Sequence, residues 1–334
     1  MVQPKALTSK IKAIHCNTQD HSFHVHTDIE QIDQIRAEPD SLLWLDLQNP
    51  TETELAKIEK VFQLHPLAIE DATREHQRPK VEAYDNFYFM VFYTAHVNEY
   101  THEMKVSEVD VFLGKGYMIT VHHHPAADLH EVEQRWTRNQ EQTVVGIGSL
   151  LYAFLDTIVD GYFPLVDRLV DEAEDIEDSM FAGNARERAL SLKILTLKKE
   201  FLTLRRIITP ERDVLNVLTN RDSPVLHESS MIYFRDVYDH ITRLAETIDL
   251  YRDQLSSIMD TNLSITSNEL NKVMRTMTAA SIILMVDALI SGIYGMNFTN
   301  MPELHLEYGY YGALALMAVL TIALIIYFRV RKWL

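Results

Sequence analysis

Cysteine is nearly missing. Cys16 stands alone in 334 residues, which excludes a disulfide framework and any Cys-rich zinc module. Glycine and proline number 10 each, too few for collagen-like or low-complexity material. Positive charge is also short: 31 Lys+Arg face 48 Asp+Glu, a formal net charge of −17. A chain this acidic has little to neutralise a phosphate backbone, so no nucleic-acid partner is expected. Met1 to Lys12 holds no long apolar run, so no secretory leader is expected and the chain is expected to begin in the cytoplasm. No internal repeat, glycine-rich phosphate loop, Ser-His-Asp arrangement or pair of catalytic acids stands out, and no enzymatic activity is expected. What is present is a 47% apolar, 9% aromatic composition, enough for a real core. The length allows two or three structural units.

The apolar residues concentrate at the C-terminal end. Thr276–Tyr294 carries one charge, Asp287, in nineteen residues, and Gly309–Phe328 carries none in twenty. Each is long enough to cross a hydrocarbon core of about 30 Å as a helix. Lys272 and Arg275 precede the first run, Arg329, Arg331 and Lys332 follow the second, and the loop between them holds Glu303 and Glu307 without Lys or Arg. The positive-inside rule therefore predicts both termini in the cytoplasm and the acidic loop outside. Tyr308, Tyr310, Tyr311, Tyr327 and Trp333 supply interfacial aromatics. One membrane hairpin is too thin to enclose a pore, so transport would require a ring of copies in the lipid bilayer.

The preceding residues fall into two regimes. Residues 1–145 mix strand patterns (Ser41–Leu47, Asn86–Tyr93, Glu108–Leu113, Tyr117–His122) with a helix at Thr51–Phe62, and Gly114-Lys115-Gly116 reads as a hairpin turn. An α/β domain is expected there. Residues 146–227 read as a helical hairpin, Ser149–Phe181 and Ala185–Thr219, broken near Ala182-Gly183-Asn184 and Ser223-Pro224. From Glu228 to Ser291 there is no Pro or Gly. A stalk helix over 228–275 is thus expected to run on into the membrane segment, 276–334, over about 95 Å.

Between the two apolar runs stands Tyr294-Gly295-Met296-Asn297-Phe298-Thr299-Asn300-Met301-Pro302-Glu303-Leu304. This resembles the CorA family of divalent-cation channels, whose signature is Gly-Met-Asn at the outer end of the first of two C-terminal spans, followed by Met-Pro-Glu-Leu. Gln77-Arg78-Pro79-Lys80-Val81-Glu82 and Tyr233-Phe234-Arg235-Asp236-Val237-Tyr238-Asp239-His240 extend the likeness over nearly the whole chain. The resemblance implies a homopentamer with a cytoplasmic α/β funnel, a pore-lining stalk helix and passive Mg²⁺ influx, with Co²⁺ and Ni²⁺ also passing and no cofactor. It implies a bacterial or archaeal cell membrane. Gly295, Met296 and Asn297 would form the selectivity filter and Glu303 part of the external loop. One branch of the superfamily moves Zn²⁺ and usually differs where Met296 stands, so Gly-Met-Asn favours Mg²⁺. A Zn²⁺ transporter and a non-conducting divalent-cation sensor remain the alternatives.

The chemistry agrees with Mg²⁺, a hard ion that sheds water reluctantly. A ring of Asn297 amides can hydrogen-bond a hydrated ion without a fixed charge to trap it, although the same residue could simply cap the helix. Gly295 is expected to let the backbone turn after the helix. Asn271, Thr278, Met285 and Gly292 recur every seven residues, with Met274, Ser281 and Ala288 as a second seam, which suits either a narrow pore or close helix packing. Asp239, Glu246, Asp253 and Asp260 continue that phase inward. They read as a solvated face, except that Asp260 matches the family's inner pore carboxylate. Asp287 lies about 200° round the helix from Met285 and is expected to face the second span or a neighbouring protomer. The family often has Pro, an apolar residue and Thr where this chain has Val286, Asp287 and Ala288, which weakens the polar-lining expectation at Ala288. The resemblance also implies a regulatory Mg²⁺ site in which Asp236 meets Asp85-Asn86 of another subunit, with Asp156 a third acid. Two histidine groups, His15 with Cys16, His21, His24 and His26, and His122-His123-His124, are candidate metal ligands. The seven acids from Asp167 to Asp178 read as an exposed helix tip.

Overall fold

The computed structural model describes residues 9–19, 22–27, 30, 32–38, 41–97, 104–124, 126, 128–138, 146–181, 187–220, 225–226, 230–297, 301 and 307–333. It resolves into two compact units, Met1–Ser256 and Ser257–Leu334.

The first unit is built on a seven-stranded sheet in the order β2-β1-β3-β7-β6-β5-β4. Its strands are β1 (Lys10–Asn17), β2 (Phe23–His26), β3 (Ser41–Gln48), β4 (Lys80–Ala83), β5 (Phe87–Val97), β6 (Met104–Gly114) and β7 (Tyr117–His122). All neighbours are antiparallel except β3 and β7, which pair in parallel from Leu43–Tyr117 to Gln48–His122. The alternation of each strand feeds two faces. Leu43, Leu45, Leu47, Phe89, Val91, Ile119 and Val121 pack with α1 (Ile32–Ala37), α2 (Glu52–Phe62) and α3 (Pro66–Thr73) in one buried cluster. On the opposite face Trp44 meets Trp136 of α4 (Asp128–Arg138) and Phe92 meets Phe154 of α5 (Ile147–Phe181). The sheet is covered on both sides.

Local chemistry explains the boundaries. Thr51 caps α2, accepting from the Glu54 amide while the Glu54 carboxylate takes the Thr51 N–H, a reciprocal capping box. The β6–β7 turn demands glycine twice. A Cβ on Gly114 would fall 2.2 Å from the Tyr117 ring, and Gly116 sits at φ +83. The long helices follow as α5, α6 (Glu187–Asn220) and α7 (Met231–Tyr294), all as the patterning predicts to within a few residues. The expected breaks at 182–184 and 223–224 lie outside the described residues. In its first part α7 buries Phe234, Val237, Ile241, Leu244, Ile248 and Leu255, a helical stripe, and exposes Asp239, Glu246 and Asp253 on the other side.

Among the described residues three helices are long and apolar enough to cross a membrane, one more than expected. The additional one is α5, whose apolar stretch is 61% buried inside the fold against 6% for α7 and α8 (Gly309–Val330), so α5 is a core helix. Within the second unit the exposed apolar surface of α7 and α8 needs an apolar surround. Along α8 the least exposed positions are Gly309, Ala313, Met317, Thr321, Leu324 and Phe328, a stripe that begins with small residues.

Candidate functional site

The residues expected to form a cation path sit on the end and one face of α7. The helix closes at Tyr294, with the Gly295 N–H donating to the Ser291 carbonyl at 2.9 Å and the Met296 N–H to the Ile293 carbonyl at 3.2 Å. Gly295 does not enter the left-handed region; its role here is closeness, since a Cβ would lie 3.1 Å from the Ser291 carbonyl oxygen. Met296 and Asn297 are exposed beyond the helix. Among the described residues the Asn297 side chain makes no bond to the last turn of α7. Glu303 lies outside the described residues.

Asn271, Met274, Thr278, Ser281, Met285, Ala288 and Gly292 are all exposed. The positions turned inward are different ones: Ala279 is buried, and Ile283, Val286, Asp287 and Ile290 are half-buried. The direction of that seam is given by Thr321, whose hydroxyl lies 3.0 Å from both Asp287 oxygens. Asp287 therefore faces the second span, and the small-residue and amide stripe points elsewhere. Asp260 is exposed as well.

An Asp287→Asn variant keeps an acceptor for the Thr321 hydroxyl, whereas Asp287→Leu leaves that hydroxyl without its partner. A hydrogen bond between membrane helices is worth about 1 kcal/mol. The Leu variant is expected to give about fivefold less correctly assembled protein, and the Asn variant about wild-type amounts, measured by size-exclusion chromatography from detergent. Equal recovery of both would show that this position needs no polar partner.

Of the three acids expected at a regulatory site, Asp156 and Asp236 both lie near Tyr152. Asp85 is exposed in the turn between β4 and β5. Asp156, on α5, is half-buried and accepts from Arg135 Nη1 at 2.6 Å, while the same nitrogen reaches Asp160 at 2.9 Å. Burial and then the Asp160 charge push the Asp156 carboxyl up, and Arg135 opposes them. Asp236, near the start of α7, is exposed and lies 4.0 Å from His240 Nε2. Asp156 and Asp236 both act on Tyr152, whose hydroxyl is pushed up to about 12 by burial first and then by Asp156, Asp236 and Asp160. Among the described residues no three His, Cys, Asp or Glu side chains come close enough within one chain to hold a metal ion. Arg135 and Asp160 have no signature in the sequence; they emerge only when α4 docks beside α5.

The histidines are drawn to different partners. His122 lies 3.2 Å from Asp46; burial opposes its protonation, but the Asp46 contact outweighs it and raises its pKa. His123 reaches the Ala72 carbonyl at 3.3 Å, and His124 reaches Glu75 at 3.5 Å. His15 is buried, which lowers its pKa, and its ring is 6.2 Å from that of His24 across the β1–β2 pair. His21 lies outside the described residues. Along the acidic run of α5 the side chains are mostly exposed, with Glu174 and Glu177 taking bonds from Tyr251 and Gln254.

One polar group escaped the sequence reading. Glu211 is fully buried on α6, accepting the Tyr93 N–H at 2.7 Å, and the Tyr162 hydroxyl lies 2.5 Å from the Tyr93 carbonyl and about 3.0 Å from Glu211 Oε2. β4 ends its pairing at Lys80–Val91, so Tyr93 sits just past the last edge-strand partner. Glu211 and Tyr162 replace that partner. The signal was available: Leu204, Ile208, Glu211, Leu215 and Leu218 share one helix face, and a carboxylate on an apolar face is anomalous.

Comparison with known proteins matches this chain along most of its length. The profile described as CorA-like Mg²⁺ transporter protein matches residues 39–332. The chain is 35% identical over 317 residues to YfjQ of Bacillus subtilis, named as a candidate metal ion transporter, covering 95% of this chain and 96% of the relative. It is 33% identical over 315 residues to the cobalt/magnesium transport protein CorA of Thermotoga maritima, covering 92% and 88%. The complete structure of the CorA magnesium transporter from Methanocaldococcus jannaschii superposes with a TM-score of 0.80 at 25% identity, over 99% of this chain and 100% of that one. A family match spanning both units, over a fold shared along its whole length, makes this chain a member of the CorA-like Mg²⁺ transporter family.

Proposed function

We propose that the protein is a homopentameric channel for Mg²⁺, also passing Co²⁺ and Ni²⁺, in a cell membrane with both termini in the cytoplasm. The observation that carries this reading is the exposed stripe on α7 that ends at an Asn297 amide free of the helix. Small, amide and thioether groups bind a hydrated ion weakly enough to let it leave. In this reading Gly295, Met296 and Asn297 form the filter, and Asp260, Asn271, Met274, Thr278, Met285, Ala288 and Gly292 line the path. The membrane potential drives entry, by about 2.3 kcal/mol per charge per 100 mV. The test is Mg²⁺ uptake into liposomes holding the purified protein, under an imposed inside-negative potential. Uptake that rises with the potential supports a channel; no uptake at any potential leaves a non-conducting sensor.

Cytoplasmic Mg²⁺ closes the channel by joining Asp236 of one protomer to Asp85 of the next, with Asp156 as a third ligand once Arg135 swings aside. Carboxylates crowded together repel, and a divalent ion between them reverses the sign. When Mg²⁺ falls, repulsion returns and the long helices are freed to shift. Asp236→Lys is expected to hold the closed state without Mg²⁺, since an ammonium replaces the ion's charge. Asp236→Ala should raise the Mg²⁺ concentration needed for protection from limited proteolysis by about tenfold, the loss of one charged ligand. Unchanged protection in Asp236→Ala would remove Asp236 from the sensor.

The zinc reading is weakened by the fold, because His122, His123 and His124 are each committed to a different partner.

A further inference from the structure

A cleft of about 590 Å³ opens between the segment preceding β4 and α6, entirely within the Met1–Ser256 unit. Its charged lining is of one sign: Arg78, Arg205 and Arg206, with no carboxylate among the lining residues. That is unexpected in a chain of net charge −17. Arg205 is engaged, donating through Nε to Asp249 at 2.6 Å. Arg78 and Arg206 are exposed, and neither makes an ion pair among the described residues.

The wall that carries Arg78 is held in place. His76 adopts φ 77, which turns the chain so that the His76 and Gln77 N–H groups both donate to the Glu108 carboxylate, at 2.5 and 3.0 Å. The Tyr93 hydroxyl closes the segment by donating to the Gln77 carbonyl at 2.6 Å, and buried Pro79 follows Arg78 directly. Glu108, the acid beside this wall, thus has its oxygens occupied by backbone donors. Arg206 stands on the facing wall, a helix. Arg78 and Arg206 thus reach the cleft from separate elements of the fold.

We propose that this cleft binds a soluble phosphate-bearing anion, a polyphosphate or a nucleoside triphosphate, through Arg78 and Arg206. The planar guanidinium fork matches phosphate oxygens, and its bonds to them are charge-assisted.

The test uses the full-length protein in detergent, in metal-free buffer with a chelator, so that Mg²⁺ complexes of the anion play no part. Binding of tripolyphosphate, ATP and adenosine is measured by titration calorimetry. Tripolyphosphate and ATP should bind and adenosine should not, with affinity falling as salt rises. Comparable affinities for the two anions identify polyphosphate recognition, and a clear preference for ATP adds contacts to the base. Arg78→Ala and Arg206→Ala should each weaken binding about tenfold, and the Arg78→Lys/Arg206→Lys double variant should retain part of it. Both side chains are exposed, so unchanged melting of the variants checks the fold. Failure of both anions to bind, or wild-type affinity in the Arg78→Ala/Arg206→Ala double variant, would overturn the proposal.

Discussion

If Asn297 forms the proposed filter, replacing it with Ala is expected to abolish selective Mg²⁺ uptake and leave the assembly intact. The expectation follows from the kind of ion and the position of the amide. Mg²⁺ keeps its water shell at ordinary cost, so a filter has to recognise hydrated ions through hydrogen bonds to that shell. Asn297 offers an acceptor and two donors just past the end of α7, where the last helical bonds are made by Gly295 and Met296 instead. A methyl group there offers none. With one amide lost from every protomer, several hydrogen bonds to the ion's water shell disappear together, and uptake should fall by about a hundredfold or more. Size-exclusion chromatography should show an unchanged oligomer, because Asn297 makes no described contact with the rest of the fold. Uptake and selectivity equal to wild type would show that the amide has no part in conduction.

The second large effect concerns stability. Glu211, Tyr93 and Tyr162 form a closed ring that is satisfied when the carboxyl carries a proton. The Tyr93 N–H donates to Glu211, and the Tyr162 hydroxyl lies within reach of both the Tyr93 carbonyl and Glu211; with its single proton given to the carbonyl, the Tyr162 oxygen is left to accept from a protonated Glu211. Ionised Glu211 would take the Tyr162 proton and strand that carbonyl. Burial accordingly pushes the Glu211 carboxyl up to about 8 from its ordinary 4.5, against the opposing hydrogen bonds. The folded state thus binds the proton more tightly than the unfolded state. This stabilisation is complete below about pH 4.5 and is lost as pH rises through about 8. Glu211→Gln reproduces the ring with an amide that does not titrate, so its melting temperature should lose that part of the pH dependence and exceed wild type on the alkaline side. Glu211→Ala strands the Tyr93 N–H and leaves a void, a cost of about 3 kcal/mol or more. Thermal unfolding of the three proteins in detergent between about pH 5 and pH 9 checks this. Parallel curves for wild type and Glu211→Gln would show that Glu211 does not titrate in the fold.

Much of the architecture was legible because its signals are local. Short apolar runs marked β3 and β7, the Asn49-Pro50-Thr51 start signal marked α2, and the absence of Pro and Gly over Glu228–Ser291 marked α7. The missed elements were of two kinds. β4, α1 and α3 have four, six and eight residues, too few for a period to show; β1 and α4, of eight and eleven residues, are long enough but were not read from their patterns. α5 had the opposite problem: composition alone makes it a membrane candidate, and only its burial against the sheet and α6 makes it a core helix. Asp287 could be placed from helical phase, since Met285 and Asp287 fall on opposite sides; its partner Thr321, 34 residues away, could not. The same limit applied to Asp156. A carboxylate can be recognised from a motif, but the Arg135 that neutralises it arrives through tertiary packing.

The central claim is tested most directly by competition of cations through the purified protein in liposomes. Flux of Mg²⁺, Co²⁺ and Zn²⁺ is followed with each of the others in excess, under an imposed inside-negative potential. If the path selects hydrated Mg²⁺, then Mg²⁺ enters, excess Mg²⁺ suppresses Co²⁺ entry, and Zn²⁺ is a poor competitor. Zn²⁺ flux that is unaffected by excess Mg²⁺ would contradict it.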